Sequence, residues 1–418
     1  MPLDIPLPLK SLPMQPVRDP AKLGFDASRL ARIKPWMQRS IDHGLIPGAA
    51  TLIARGGELA YFDCAGFADV EAHVPWRRDT IARIYSNTKP ITSIALMALY
   101  EAALVHLDDP LETFLPEFKH PRVLVPGATS LADTVAAKTP VTIRHLLTHT
   151  SGLSYGIQAG LLGEAYAKDG LGGKFNYGGL DKMVKRIAEL PLDCEPGTRW
   201  HYSVGIDVIG RIIEVISGQS LDRFLAARIF EPLGMTETAF EVPDKLIGRY
   251  AALYTAKAGG GMQLAETAQA AAQRQGKVDT YLGGAGLVGT MNDYWRFAEM
   301  LRGGGSFRGQ RIISPRTLQL MTSNHLPGDI ASMGPASWAE TSFHGVGFGL
   351  MGSIILDPAR AQASASAGDY GWGGMASTVF WVSPKDDLVV VYFTQLAPSS
   401  ALPIRKELRA LVHQAMVD

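Results

Sequence analysis

Cysteine is nearly absent: the chain has 418 residues and only two, Cys64 and Cys194. Two thiols cannot build a disulfide framework or a cysteine-rich metal site, which points to a reducing, cytoplasmic setting. Charge of one sign is missing as well, because 40 basic side chains face 40 acidic ones. Nucleic acids and anionic membrane surfaces are bound through an excess of Lys and Arg, so neither is an expected partner. No apolar run approaches the roughly 18 residues that a bilayer span needs. The start, Met1-Pro-Leu-Asp-Ile-Pro-Leu-Pro-Leu, has no basic segment and no unbroken apolar core, unlike a signal peptide. A soluble, neutral, globular protein is the remaining expectation.

Residues 1–20 are proline-rich and read as an extended arm, since proline neither continues a helix nor donates to a ladder. A helix is expected from Asp26 or Ser28 to about Asp42, kinked at Pro35. Ala49–Ala54 and Leu59–Ala65 flank Gly56-Gly57 and predict a β-hairpin. Residues 87–103 are almost wholly apolar, hence a buried helix, and Pro90 sets its start near Ser86 to Thr88. Further helices are expected at Thr142–Thr148, Leu180–Glu189, Ile206–Ser217, Leu221–Phe230, Asn292–Leu301 and Pro403–Met416. Ser377–Val382 and Leu388–Thr394 predict a second hairpin. Gly156–Gly179 and Ala256–Gly276 look like long surface loops.

Strands near both ends and helices between them suggest one sheet built from both ends of the chain, not tandem domains. The expected class is α/β of the α+β type. Its α/β domain takes residues 21–110 and 280–418, and a mainly helical domain takes residues 111–279.

Three serine or tyrosine arrangements offer chemistry. Ser86-Asn87-Thr88-Lys89 is the only Ser-x-x-Lys in the chain. On a helix these positions share a face, so Lys89 can take the Ser86 proton; taken alone, a surface lysine in a capped turn fits equally. Gly152-Leu153-Ser154-Tyr155-Gly156 matches G-x-S-x-G, but a nucleophile elbow needs a strand before it and a helix after it. Here a helical pattern precedes and a loop follows, which favours an ordinary loop serine. Tyr202-Ser203-Val204 places a tyrosine where a lysine could make it a proton relay, or where it simply packs. His145 and His149 have metal-ligand spacing, but Leu146 stands where a metalloprotease base belongs, so no metal is expected. Gly283–Gly289 lacks the acidic residue of a dinucleotide fingerprint and suits a tight turn.

Seven segments in order break the tie. They are Ile84–Lys89, Leu107–Leu111, Leu146–Leu153, Pro196–Ser203, Pro232–Met235, Gly283–Leu287 and Tyr370–Gly374. Together they resemble the serine β-lactamase and penicillin-binding-protein superfamily, and within it the class C-like group that includes the family VIII carboxylesterases. The resemblance implies an antiparallel sheet flanked by helices, an inserted helical region and an active site between them. It makes Ser86 the acylated nucleophile, with Lys89 and Tyr202 sharing the proton. The backbone N–H groups of Ser86 and Met375 would form the oxyanion hole.

The departures bear on substrate. Trp372-Gly373-Gly374 stands where β-lactamases have Lys-Thr-Gly, as in the family VIII esterases, and Val204 replaces the Asn of Tyr-x-Asn. Trp372, Gly373, Gly374 and Val204 would then line an apolar pocket for a small neutral ester. No cofactor is implied. An acyltransferase, a small-amide or D-amino-acid peptidase, a weak β-lactamase and a catalytically silent binding protein are the rival expectations.

Overall fold

The computed structural model describes residues 19–275, 278–338 and 340–418. Most of the proline-rich arm therefore lies outside the described residues. Alternation of apolar side chains along the central strand dictates a sheet covered on both sides. Along Leu388–Thr394, Val389, Val391 and Phe393 face one core, whereas Leu388, Val390 and Tyr392 face another.

Eight antiparallel strands form that sheet. Their order is Val346–Phe348, Ser353–Ile355, Tyr370–Gly373, Val379–Ser383, Leu388–Thr394, Gly48–Arg55, Glu58–Asp69 and Val74–Pro75. Ala49 pairs with Thr394 at the junction of N-terminal and C-terminal strands, so the sheet does draw on both ends of the chain. Gly56 and Gly57 take the positive φ values of 61° and 81° that the first hairpin turn requires.

Helices Ile33–Asp42 and Ile404–His413 cover one face through Ile33, Met37, Leu408 and Val412. The Trp36 indole fastens them by donating to Glu407 at 2.6 Å. Pro35 does not kink the first helix. The break falls earlier, between helices Ala27–Leu30 and Ile33–Asp42, which puts Pro35 in a first turn where no N–H is needed. The opposite face carries helices Thr88–Glu101 and Met291–Arg302, and the former is buried at every residue from Thr88 to Leu99.

Behind it, Gly205–Ser217 packs on Thr88–Glu101 through a tight turn at Gly283, where a Cβ would stand 2.8 Å from the Ile206 carbonyl oxygen. The glycine cluster is thus a packing device. Both expected long loops contain structure. Helix Leu161–Asp169 lies within the first, held between Gly160 and Gly170. Strand Met262–Glu266 and helix Ala268–Gln275 occupy the second. Strand Leu253–Ala256 pairs with Leu396–Ala397, so this stretch runs with the strands although it precedes residue 280.

Candidate active site

Ser86 gains its position from local backbone strain. Strand Ile81–Arg83 leads through Tyr85, whose φ of 45° is unusual for a bulky residue, into a helical turn at Tyr85–Asn87. The helix Thr88–Glu101 then sets Lys89 one turn on from Ser86, at 2% exposure. Lys89 Nζ donates to Ser86 Oγ at 3.3 Å and to the Gly284 carbonyl at 2.8 Å.

Tyr202 arrives from the loop that enters helix Gly205–Ser217, and its hydroxyl donates to Ser86 Oγ at 2.8 Å. The Trp372 indole N–H in turn reaches the Tyr202 hydroxyl at 3.4 Å. Trp372 therefore does more than line a wall: its donor points at the oxygen on which negative charge would develop. Lys89 Nζ also lies over the rings of Tyr202, at 4.6 Å, and Tyr155, at 5.4 Å. Those two rings stack at 5.9 Å with an interplanar angle of 10°.

Asp207 completes the charge balance. It is fully buried, its Oδ1 accepts from the Gly284 N–H at 2.9 Å, and its Oδ2 has no partner among the described residues. Burial pushes its pKa up to about 6 against the opposing pull of Lys89. Burial likewise holds the Tyr155 hydroxyl well above its usual range, with Asp207 and Tyr202 adding to the rise, so it stays neutral. The Tyr155 hydroxyl donates to the Gly172 carbonyl at 3.2 Å.

Beside Ser86, strand Tyr370–Gly373 is seated by close backbone approach. A Cβ on Gly374 would lie 2.3 Å from the Ile84 carbonyl oxygen, which is why glycine stands there. Thr378 Oγ1 donates to that same carbonyl at 3.3 Å and accepts from Asn87 Nδ2 at 3.2 Å. Met375 and Ser86 both line a cavity of about 610 Å³. The Ser86 N–H lies in the first turn of a helical segment, where amides have no intrahelical acceptor.

Ser86, Lys89, Tyr202, Trp372, Gly373, Gly374 and Met375 thus converge. Val204 does not. It is fully buried, does not line the cavity, and would meet a Cβ on Gly172 at 2.7 Å. Its N–H donates to the Ser154 carbonyl at the mouth of the helix, which turns the side chain inward; the expected role in the pocket is corrected.

Ser154 has company that imitates a triad. Its Oγ lies 3.4 Å from His201 Nε2, and His201 Nδ1 lies 3.5 Å from Asp193 Oδ2. Yet Ser154 is 1% exposed and off the cavity wall. Burial and the Arg199 charge hold the His201 pKa down at about 4, too low for a useful base. Arg199 also claims the same Asp193 carboxylate oxygen. His145 and His149 are used structurally. The Thr142 N–H donates to His145 Nδ1 at 3.2 Å in a capping box, and the His149 ring packs on Tyr202 at 4.6 Å.

Three residues escaped the sequence reading. Tyr155 adjoins Ser154 with no local signal of its own, and an acid such as Asp207 in a helical first turn is ordinary helix chemistry. Arg405, in helix Ile404–His413, brings its guanidinium to Gly373: a Cβ there would stand 3.4 Å from both Nε and Nη2. No spacing in the sequence linked positions 373 and 405.

A part-buried Ser86–Lys89–Tyr202 cluster beside an antiparallel sheet, opening onto a cavity, is an arrangement that suits serine acyl transfer. The chain belongs to the beta-lactamase family, whose family model matches residues 33–414. It is 33% identical to Esterase EstB of Burkholderia gladioli over 395 residues, covering 91% of this chain and 94% of that protein. It is 28% identical to the monacolin J acid methylbutanoyltransferase of Aspergillus terreus over 385 residues, covering 86% of this chain and 89% of that one. The solved structure of EstCE1, described as a hydrolase with promiscuous acyltransferase activity, superposes with a TM-score of 0.77. That match has 29% identity and covers 94% of this chain and 99% of that one. No described helix is long and apolar enough to cross a membrane.

Proposed function

We propose that this protein is a serine carboxylesterase that cleaves small neutral carboxylic esters through an acyl-enzyme on Ser86. One observation carries the reading: Ser86 Oγ is held by Tyr202 at 2.8 Å and Lys89 at 3.3 Å where it opens onto the cavity. Kinship with an esterase of 33% identity supports it.

Ser86 Oγ attacks the ester carbonyl as its proton passes to the Lys89–Tyr202 pair. The carbonyl oxygen becomes an oxyanion, received by the Ser86 and Met375 N–H groups; removing one such donor typically costs about 3 kcal/mol in the transition state. Collapse breaks the bond to the alcohol, which leaves with the proton the pair returns. Water then adds to the acyl-serine by the same path, releasing the acid and restoring the Ser86 hydroxyl. Trp372 and Lys89 both stabilise charge on the Tyr202 oxygen during these steps. Aromatic walls from Phe343, Trp372 and Tyr155 suit an apolar ester.

The test is hydrolysis of 4-nitrophenyl butyrate by Ser86→Ala and Ser154→Ala. The proposal requires loss of turnover in the first and retention in the second; the reverse pattern contradicts it. Acyl transfer to an alcohol is the second reading. It is favoured by the similarity to a methylbutanoyltransferase and by a cavity of about 610 Å³, large enough to hold an acceptor beside the acyl group. Product analysis with an added alcohol separates the two: a new ester forms only if the alcohol outcompetes water.

A further inference from the structure

We propose that His149 is a positioning residue for the reaction: it clamps Tyr202 from three sides and so aims the phenolic hydroxyl at Ser86 Oγ. This inference rests on the esterase reading above. It gives a role to a buried side chain that lies off the cavity wall.

The backbone makes the first contact. The His201 N–H, one residue before Tyr202, donates to the His149 carbonyl at 2.8 Å. The imidazole makes the second, one residue after: His149 Nδ1 accepts from the Ser203 N–H at 3.3 Å, and Ser203 Oγ lies 3.4 Å from the same nitrogen. The third contact is the ring itself, whose centroid lies 4.6 Å from that of Tyr202 at an interplanar angle of 51°. Tyr202 is thus held by the amides on both sides of it and by its own ring, all from one residue. Phe348 and Trp200 brace the imidazole in turn, at 5.4 and 6.0 Å.

Histidine suits this position for chemical reasons. An amide N–H can only donate, so Nδ1 must offer a lone pair and the ring's single proton sits on Nε2. Burial keeps the ring neutral, and the Lys89 and His201 charges oppose a second proton. Lys89 therefore remains the cation over the Tyr202 ring, at 4.6 Å. The His149 backbone is left-handed, with a φ of 56°, a conformation uncommon outside glycine and kept only where the surroundings fix it. In that conformation its carbonyl serves residue 201 while its side chain serves residue 203. The Tyr202 hydroxyl stands at the far end of the ring from this clamp. A small rotation there would carry the oxygen out of hydrogen-bond range of Ser86 Oγ, now 2.8 Å away.

Three variants test the role with 4-nitrophenyl butyrate, each rate normalised to the folded fraction read by circular dichroism. His149→Phe keeps a ring and deletes the acceptor, so kcat should fall about tenfold while KM changes less than about twofold. His149→Asn carries an amide oxygen where Nδ1 stood, whereas His149→Gln carries it one bond further out. The Asn variant should keep kcat within about threefold of the parent, and the Gln variant should not. The decisive readout is the cycle with Tyr202→Phe. With no hydroxyl left to aim, adding His149→Phe should change kcat by less than about twofold. Should His149→Phe not fold, His149→Gln carries the same cycle, and its loss should vanish in the Tyr202→Phe background. Losses that multiply in full, or Asn and Gln variants of equal kcat, would overturn the positioning role and leave the esterase standing. Ester turnover that survives Ser86→Ala would overturn the esterase reading itself, and the role of His149 with it.

Discussion

The Tyr202 hydroxyl donates to Ser86 Oγ at 2.8 Å, across 116 residues of sequence. In the proposed mechanism that bond makes Tyr202 a partner in proton transfer, because its phenolic oxygen stands within one hydrogen bond of Ser86 Oγ. Tyr202→Phe keeps the ring stacked on Tyr155 and Trp200 and deletes only the oxygen. Its kcat for 4-nitrophenyl butyrate should fall by about 10²–10⁴, with KM little changed. A fall of less than threefold would remove Tyr202 from the mechanism.

Trp372 touches the same oxygen from the other side, with its indole N–H at 3.4 Å. Trp372→Phe preserves an aromatic face against Phe348, now 5.2 Å away at 90°, but supplies no donor. One neutral hydrogen bond contributes about 1 kcal/mol, so kcat should drop roughly fivefold. An indole that serves only as a wall would show its effect in KM alone.

Asp207 gives a prediction with a sign in pH. Its folded-state pKa of about 6 lies above the unfolded value of about 3.9. Between those values the folded protein keeps a proton that the unfolded chain has released. Ionising this buried carboxyl therefore costs stability as pH rises through the window. Asp207→Asn removes the cost. Its stability relative to the parent should improve on going from pH 4 to pH 7, by on the order of 2 kcal/mol in denaturant titrations. Activity should move oppositely. Without this carboxylate behind Gly284, Lys89 loses its buried countercharge, and kcat should fall about tenfold. A stability difference independent of pH would show that Asp207 does not titrate in that range.

Ser154 offers a negative prediction. Its hydroxyl is 1% exposed, and its one imidazole partner has a pKa of about 4. Ser154→Ala should retain ester turnover within about twofold and lose on the order of 1 kcal/mol of stability from a buried polar contact. Abolished turnover would bring the elbow reading back.

What the sequence revealed follows periodicity and close spacing. Ser86 and Lys89 lie on one helical face, so their pairing was readable from three residues' separation. The two hairpins were readable because paired glycines and β-branched runs are local signals. Tyr202 and Trp372 needed the family resemblance, since nothing local ties residues 86, 202 and 372 together. Glycine misled where it served as a helix boundary: Gly160 and Gly170 bracket the Leu161–Asp169 helix, which looked like loop. Val204 misled because a residue two positions from Tyr202 can still point into the core when it caps a helix. Arg405 was invisible because nothing local ties it to Gly373, the residue its guanidinium approaches.

Covalent labelling with a fluorophosphonate, mapped by peptide mass spectrometry, tests the central claim most directly, because the reagent is trapped by the activated serine itself. A single adduct on the peptide carrying Ser86, lost in Ser86→Ala and strongly slowed in Tyr202→Phe, is the result this account predicts. An adduct on Ser154 with Ser86 unmodified would contradict it.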